Sequence, residues 1–173
     1  LQKVNPSSNF GPNTIYFDLW TEMTEATWDY SIAINRPDNV RSEAGTTIFR
    51  NAIDNIGNPI FDTIRNQNSD ILAVAGIYTE QIGNSFRMQV LIEDADSLIN
   101  GPIYVYRFNT VGNGSYDLWS GENIGYNKIL APNPLISIFP NLGKIVNPDS
   151  SQSIVSSWAC SEKVVTVGNF KNR

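Results

Sequence analysis

An all-β fold, a jelly-roll-like antiparallel β-sandwich, is the expectation for this chain, and three observations lead to it. First, two runs alternate. Trp28, Tyr30, Ile32 and Ile34 are interleaved with Asp29, Ser31, Ala33 and Asn35, and Phe86, Met88, Val90 and Ile92 with Arg87, Gln89 and others. Period-two alternation sends one set of side chains inward, and a slip of one residue would expose the whole apolar set. Second, turn-forming residues recur roughly every 8–15 residues, and no helical period lasts beyond about two turns. Third, Tyr16-Phe17-Asp18-Leu19-Trp20-Thr21 has an echo in Ser115-Tyr116-Asp117-Leu118-Trp119-Ser120-Gly121. Both contain aromatic–Asp–Leu–Trp–hydroxyl, as two equivalent strands of one sandwich would.

Residues 1–13 are polar, with Pro6, Gly11 and Pro12, and read as an entry segment. Residues 14–20 read as a strand with Ile15, Phe17 and Leu19 on one face and Tyr16, Asp18 and Trp20 on the other. After the run at 28–35, Arg36-Pro37-Asp38-Asn39 ends the strand, because Pro37 cannot donate to a ladder. Residues 46–50 and 60–65 are shorter strands, and Asn55-Ile56-Gly57-Asn58-Pro59 between them suggests a hairpin. Residues 71–79 are almost continuously apolar, which fits a strand buried on both faces or a short buried helix. Residues 84–93 form the second alternator, with Arg87, Gln89 and Glu93 outward. A strand at 103–108 follows Asn100-Gly101-Pro102, and Val111-Gly112-Asn113-Gly114 turns into the Tyr116 strand.

Residues 121–153 carry Pro132, Pro134, Pro140 and Pro148 and no sustained alternation. They read as a long connection with one short strand near 135–139. Val164-Val165-Thr166-Val167-Gly168 is β-branched on both faces, which suits a parallel sheet covered by helices. The expected division is a β-sandwich at 1–153 and a connector plus strand at 154–173, the latter belonging with a separate α/β core.

The 173 residues are enough for one self-sufficient core, and 41% hydrophobic against 17% charged residues marks a globular chain. A net charge of −5 with no basic run argues against a cationic nucleic-acid face. The single cysteine, Cys160, forms no intrachain disulfide, and this is compatible with secretion. No apolar run approaches the roughly 18–20 residues of a membrane helix. The start at Leu1, with neither an initiator Met nor a signal-peptide pattern, suggests a processed or excised piece.

The chain has no histidine, so it cannot by itself build Ser-His-Asp or Cys-His catalysis or a His-ligated metal site. A Ser-x-x-Lys dyad also fails, since Gly125, Asn141, Cys160 and Gly168 stand three residues before Lys128, Lys144, Lys163 and Lys171. No G-x-S-x-G elbow or phosphate-cradling glycine loop is present. No catalytic residue and no cofactor is expected in this segment.

Trp20 and Trp119 are the candidate ligand contacts, as platforms for a sugar or peptide; the competing role is to fill core or cover a strand. Asp18 and Asp117 are weighed as calcium ligands against carboxylates that bond a neighbouring loop. Asp94-Ala95-Asp96-Ser97 resembles the start of a calcium loop, but Leu98 stands where Asp or Asn is needed and Gly101 falls too late, which favours a surface turn. Glu22, Glu25 and Asp29 form an acidic cluster, by default a solvated loop. Asn113-Gly114-Ser115 is a glycosylation sequon, better explained as a hairpin turn. Cys160 reads as a packed small hydrophobe.

Ser156-Ser157-Trp158-Ala159-Cys160-Ser161-Glu162-Lys163-Val164-Val165-Thr166-Val167-Gly168-Asn169-Phe170-Lys171-Asn172-Arg173 resembles one segment of subtilisin-family serine peptidases. There a Ser-Pro-small-small stretch runs into a core strand of the form V-I-T-V-G-A, often followed by an N-x-R-like turn. This chain departs in Trp158-Ala159-Cys160, where Pro and small residues are usual, and in Asn169, where Ala is usual. Some bacterial subtilases carry a jelly-roll insert just before this strand. Phe17-Asp18-Leu19-Trp20, Ser31-Ile32-Ala33-Ile34-Asn35-Arg36-Pro37-Asp38 and Tyr116-Asp117-Leu118-Trp119 are similar, in order, to strands of such inserts. The resemblance covers 14–35, 84–121 and 154–173.

It implies that the triad Asp and His precede Leu1 and that the nucleophile Ser, in a G-T-S-x-A context, follows Arg173. The expected function is then a non-catalytic insert of a secreted or surface-exposed subtilisin-like serine endopeptidase, stabilising the catalytic domain or shaping substrate access. Its partner would be the catalytic domain of the same polypeptide, with a peptide or glycan as a second class. The alternative is a stand-alone carbohydrate-binding or adhesion module that uses the tryptophans.

Overall fold

The computed structural model describes residues 2–3, 14–35, 43–95, 105–120 and 127–128. They form β1 (Gln2–Lys3), β2 (Thr14–Glu22), a 3-10 turn (Met23–Glu25), β3 (Trp28–Asn35), β4 (Glu43–Thr46), β5 (Arg50–Asn51), β6 (Ile60–Arg65), β7 (Ile71–Ile82), β8 (Ser85–Asp94), β9 (Val105–Gly112), β10 (Asp117–Ser120) and β11 (Asn127–Lys128). One sheet has the order β11-β1-β9-β3-β4, with β5 also on β3; the other has the order β10-β2-β8-β7-β6. Every pairing is antiparallel. Consecutive strands lie in different sheets at β1–β2, β2–β3, β5–β6, β8–β9, β9–β10 and β10–β11. The result is the expected jelly-roll-like antiparallel sandwich.

Alternation produces the core. Ile15, Phe17 and Leu19 of β2 and Phe86, Met88, Val90 and Ile92 of β8 are buried, and face Trp28, Tyr30, Ile32 and Ile34 of β3. Burying each such side chain stabilises the fold by about 1.5–3 kcal/mol. Trp28 organises one end of this core. Its ring centroid lies 5.2 Å from Tyr116, 6.1 Å from Phe86 and 6.3 Å from Phe108, and Tyr30 stacks on Phe108 at 6.0 Å. Edge-to-face and stacked rings at such separations add to simple area burial.

Four expectations are corrected. Residues 46–50 are not one strand: β4 ends at Thr46 and β5 begins at Arg50. Between them Thr47 turns to the backbone of Ile32, donating its N–H to the Ile32 carbonyl at 2.9 Å and accepting the Ile32 N–H on Oγ1 at 3.0 Å. Nor do β5 and β6 form a hairpin, because they lie in different sheets. The loop between them is anchored elsewhere, with the Gly57 N–H bonded to the Thr79 carbonyl at 2.7 Å. β7 is buried on one face only; Ala73, Ala75 and Ile77 point inward while Val74 is 37% exposed. The Asn113-Gly114 pair is not a hairpin turn, since β9 and β10 also lie in different sheets, and Gly114 has positive φ while Asn113 does not. Within the expected entry segment, Gln2 and Lys3 are a strand paired with β9 and β11. The short strand expected at 135–139 and everything expected of 154–173 lie outside the described residues.

Polar contacts close the sandwich along the side where β5 and β6 meet. Arg50 reaches from β5 to Asp62 of β6 with two bonds of 2.7 Å, and this hydrogen bonding raises the Arg50 pKa against the opposing effect of burial. Nearby, Gly45 lets β4 approach β6 closely; a Cβ there would stand 2.3 Å from the Arg65 carbonyl oxygen. Tyr30 lies beneath this seam. Burial, then the charge of Asp62, pushes its phenol up to about 12, and its hydroxyl makes no hydrogen bond among the described residues.

Candidate functional site

The two echo runs are neighbours. β10 pairs with β2 so that Asp117 lies opposite Trp20, Leu118 opposite Leu19 and Trp119 opposite Asp18. Leu19 is buried, so Trp20, Asp18, Asp117 and Trp119 share the outward face of the five-stranded sheet. Both tryptophans are half-buried there, and neither belongs to the core.

β8 completes this face, with Arg87 opposite Trp20 and Gln89 opposite Asp18. The Arg87 guanidinium lies over the Trp20 ring, with Cζ 5.2 Å from the centroid. It donates to Asp18 at 3.1 Å and to Glu80 at 3.0 Å. Burial works to lower its pKa, but these bonds outweigh it and the net direction is upward. Tyr16 donates to Asp18 at 2.9 Å and accepts from Gln89 at 2.8 Å; burial raises its phenol pKa. Asp18 is therefore committed to an arginine and a tyrosine, which answers the calcium reading at that residue with an internal ion pair.

Beside this network, where β2 ends and β10 begins, lies a cavity of about 450 Å³. Trp20 and Tyr116 supply its aromatic walls, and Glu22, Glu25 and Asp117 its carboxylates. Local contacts set its shape. Tyr116 is anchored by its ring against buried Trp28, and its hydroxyl lies 3.2 Å from Thr110 Oγ1. Thr21 donates to the Ser115 carbonyl at 2.5 Å, and Thr27 to the Asn113 carbonyl at 2.7 Å. The 3-10 turn packs directly on Gly114, where a Cβ would come within 1.9 Å of the Glu25 carbonyl oxygen.

The sequence groups Glu22 with Glu25 and singles out Trp20 and Asp117 apart from them, and the structure brings all four together. It separates others. Trp119 stands two residues along β10 and does not line the cavity, while Asp29 accepts a hydrogen bond from Asn51 at 3.0 Å on the other sheet. Asp94 accepts a hydrogen bond from Tyr106; Asp96 and Ser97 lie outside the described residues, as does Cys160. Tyr116 and Arg87 were missed as site residues. The usable signal was the echo itself, since pairing its two copies puts Tyr116 beside the end of β2.

The lining combines carboxylate acceptors with two aromatic residues. Among the described residues no group of three or more Asp, Glu or Cys is placed to hold one metal ion, and no helix is long and apolar enough to cross a membrane. Comparison with protein-family models, with curated proteins and with solved structures finds no match.

Proposed function

We propose that this chain is a non-catalytic β-sandwich insert of a secreted subtilisin-like serine endopeptidase, lying beside the catalytic domain of its own polypeptide and stabilising it or shaping substrate access. The observation that carries this reading is the pairing of the two aromatic–Asp–Leu–Trp runs. They bear the resemblance to subtilase inserts, and as β2 and β10 they are neighbours in one sandwich. The resemblance of residues 156–173 to a subtilase core strand adds the position. A chain without histidine needs a triad supplied from elsewhere in the polypeptide. An outward apolar patch supports a packing role: Phe61 is 73% exposed and crosses Gly76, with Leu91 and Val74 on the neighbouring strands. Such contiguous apolar surface marks an interaction face.

The test is hydrolysis of a general protease substrate by the purified chain. No turnover is expected. Reproducible turnover blocked by a serine-directed inhibitor would contradict the proposal.

A further inference from the structure

We infer that Asn113-Gly114 is a self-modifying site: the Gly114 backbone nitrogen attacks the Asn113 carboxamide and converts Asn113 to aspartate and isoaspartate, and the Thr27 hydroxyl promotes the step. This goes beyond the insert reading and does not depend on it. The reaction needs an accessible carboxamide, a free backbone N–H directly after it, and room for that nitrogen to approach. Asn113 is exposed, and its carboxamide has no hydrogen-bond partner among the described residues. The Gly114 N–H has none among them either, and glycine carries no side chain to screen its nitrogen. β9 ends at Gly112 and β10 begins at Asp117, so no sheet ladder claims these groups.

Comparable asparagines are blocked. The Ala52 N–H after Asn51 donates to the Trp28 carbonyl at 3.0 Å, and the Ser69 N–H after Asn68 donates to the Asn66 carbonyl at 3.0 Å. Pro59 after Asn58 has no N–H at all. Asn100-Gly101, the chain's other Asn-Gly pair, lies outside the described residues. Thr27 adds a contact specific to the folded state. Its hydroxyl donates to the Asn113 main-chain carbonyl at 2.7 Å. That carbonyl belongs to the same peptide unit as the Gly114 nitrogen. When the nitrogen gives up its proton, the negative charge is shared with this oxygen, and a donor already aimed at it favours the charged form.

Water and hydroxide are the only co-reactants. Hydroxide takes the Gly114 N–H proton, the nitrogen bonds to Asn113 Cγ, and the Cγ–Nδ2 bond breaks, releasing ammonia protonated by water. The resulting five-membered succinimide then takes up water. Opening at Cγ gives aspartate; opening at the main-chain carbonyl gives isoaspartate, whose main chain runs through Cβ. The net change is a side-chain amide for a carboxylate, with nothing oxidised or reduced. The isoaspartyl form also lengthens the connection between β9 and β10 by one methylene, directly before Ser115 and Tyr116, which line the cavity.

The experiment is a time course of the purified chain in mildly alkaline buffer, native and in urea, read by peptide mapping with mass spectrometry that separates aspartyl from isoaspartyl products. In the native chain Asn113 should convert well before Asn51 and Asn68, to both products, and faster as pH rises. Thr27→Val should slow the native conversion about threefold or more, the worth of one hydrogen bond to the charged form. Thr27→Ser, which keeps the hydroxyl, should restore it. Thr27 is exposed, so both variants keep the fold. In urea the three chains should convert Asn113 at one rate, because the Thr27 contact exists only in the folded state. Asn113 left intact in the native chain while it converts in urea would overturn the inference. So would native conversion of Asn51 or Asn68 at the same rate, equal native rates with and without the Thr27 hydroxyl, or a Thr27→Val effect that persists unchanged in urea.

Discussion

The Arg50–Asp62 contact allows the physical account of the sandwich to be tested against an internal control. It joins β5 of one sheet to β6 of the other through two 2.7 Å bonds, and its side chains are only 30% and 12% exposed. Arg107 and Glu43 make an equally short contact, 2.6 Å, but are 45% and 41% exposed. Distance alone would make the two pairs equal. Burial makes them differ, because solvent screens the exposed pair and leaves a lone seam charge poorly hydrated. Asp62→Ala should therefore cost about 2–3 kcal/mol, near the lower end for breaking a buried pair, since Arg50 keeps some solvent access. Glu43→Ala should cost about 0–1 kcal/mol. The assay is urea unfolding of both single variants and the double variant at each site. A coupling energy of about 1.5 kcal/mol or more is expected at Arg50–Asp62, and less than about 0.5 kcal/mol at Arg107–Glu43. Equal coupling at the two sites would refute the claim that the seam pair acts by virtue of its burial.

Two further perturbations test the same framework. Tyr30 has its phenol raised from 10.0 to about 12, so the folded state favours the neutral form. Its contribution is complete below pH 10 and is lost as pH rises from 10 toward 12, by roughly 3 kcal/mol in full. Tyr30→Phe should remove that part of the alkaline loss in a pH series of thermal melts. At neutral pH it should change stability by less than about 1 kcal/mol, because the deleted hydroxyl has no hydrogen bond among the described residues. An unchanged alkaline profile would contradict this reading. Gly114→Ala places a Cβ on the Glu25 carbonyl at a φ of +108°, whereas Gly57→Ala, at +81°, meets nothing within 4 Å. The first should cost about 2 kcal/mol or more and the second about 1 kcal/mol, read from denaturant midpoints.

Much of the strand pattern could be read before the structure. β2, β3 and β8 alternate because each has one face against the core, so Phe17, Tyr30 and Met88 revealed themselves by spacing. Period two reports which side of a strand faces inward; it does not report which sheet the strand joins. That is why Asn55–Pro59 and Asn113-Gly114 looked like hairpin turns, although each lies where the chain changes sheets. β7 misled for a related reason. Its outward Val74 and Gly76 have no charged residues between them, so a one-sided strand read as doubly buried. The cavity was legible only in fragments. Trp20, Glu22, Glu25 and Asp117 were each notable, but nearly a hundred residues separate the two strands, and it is the register of Asp117 against Trp20 that joins them.

The central claim is that this sandwich is an insert within a serine peptidase. The most direct measurement is to determine the coding sequence on both sides of the segment. The account predicts triad Asp and His motifs upstream of Leu1 and a G-T-S-x-A motif downstream of Arg173. A stop codon soon after Arg173, with no such motifs upstream, would contradict it.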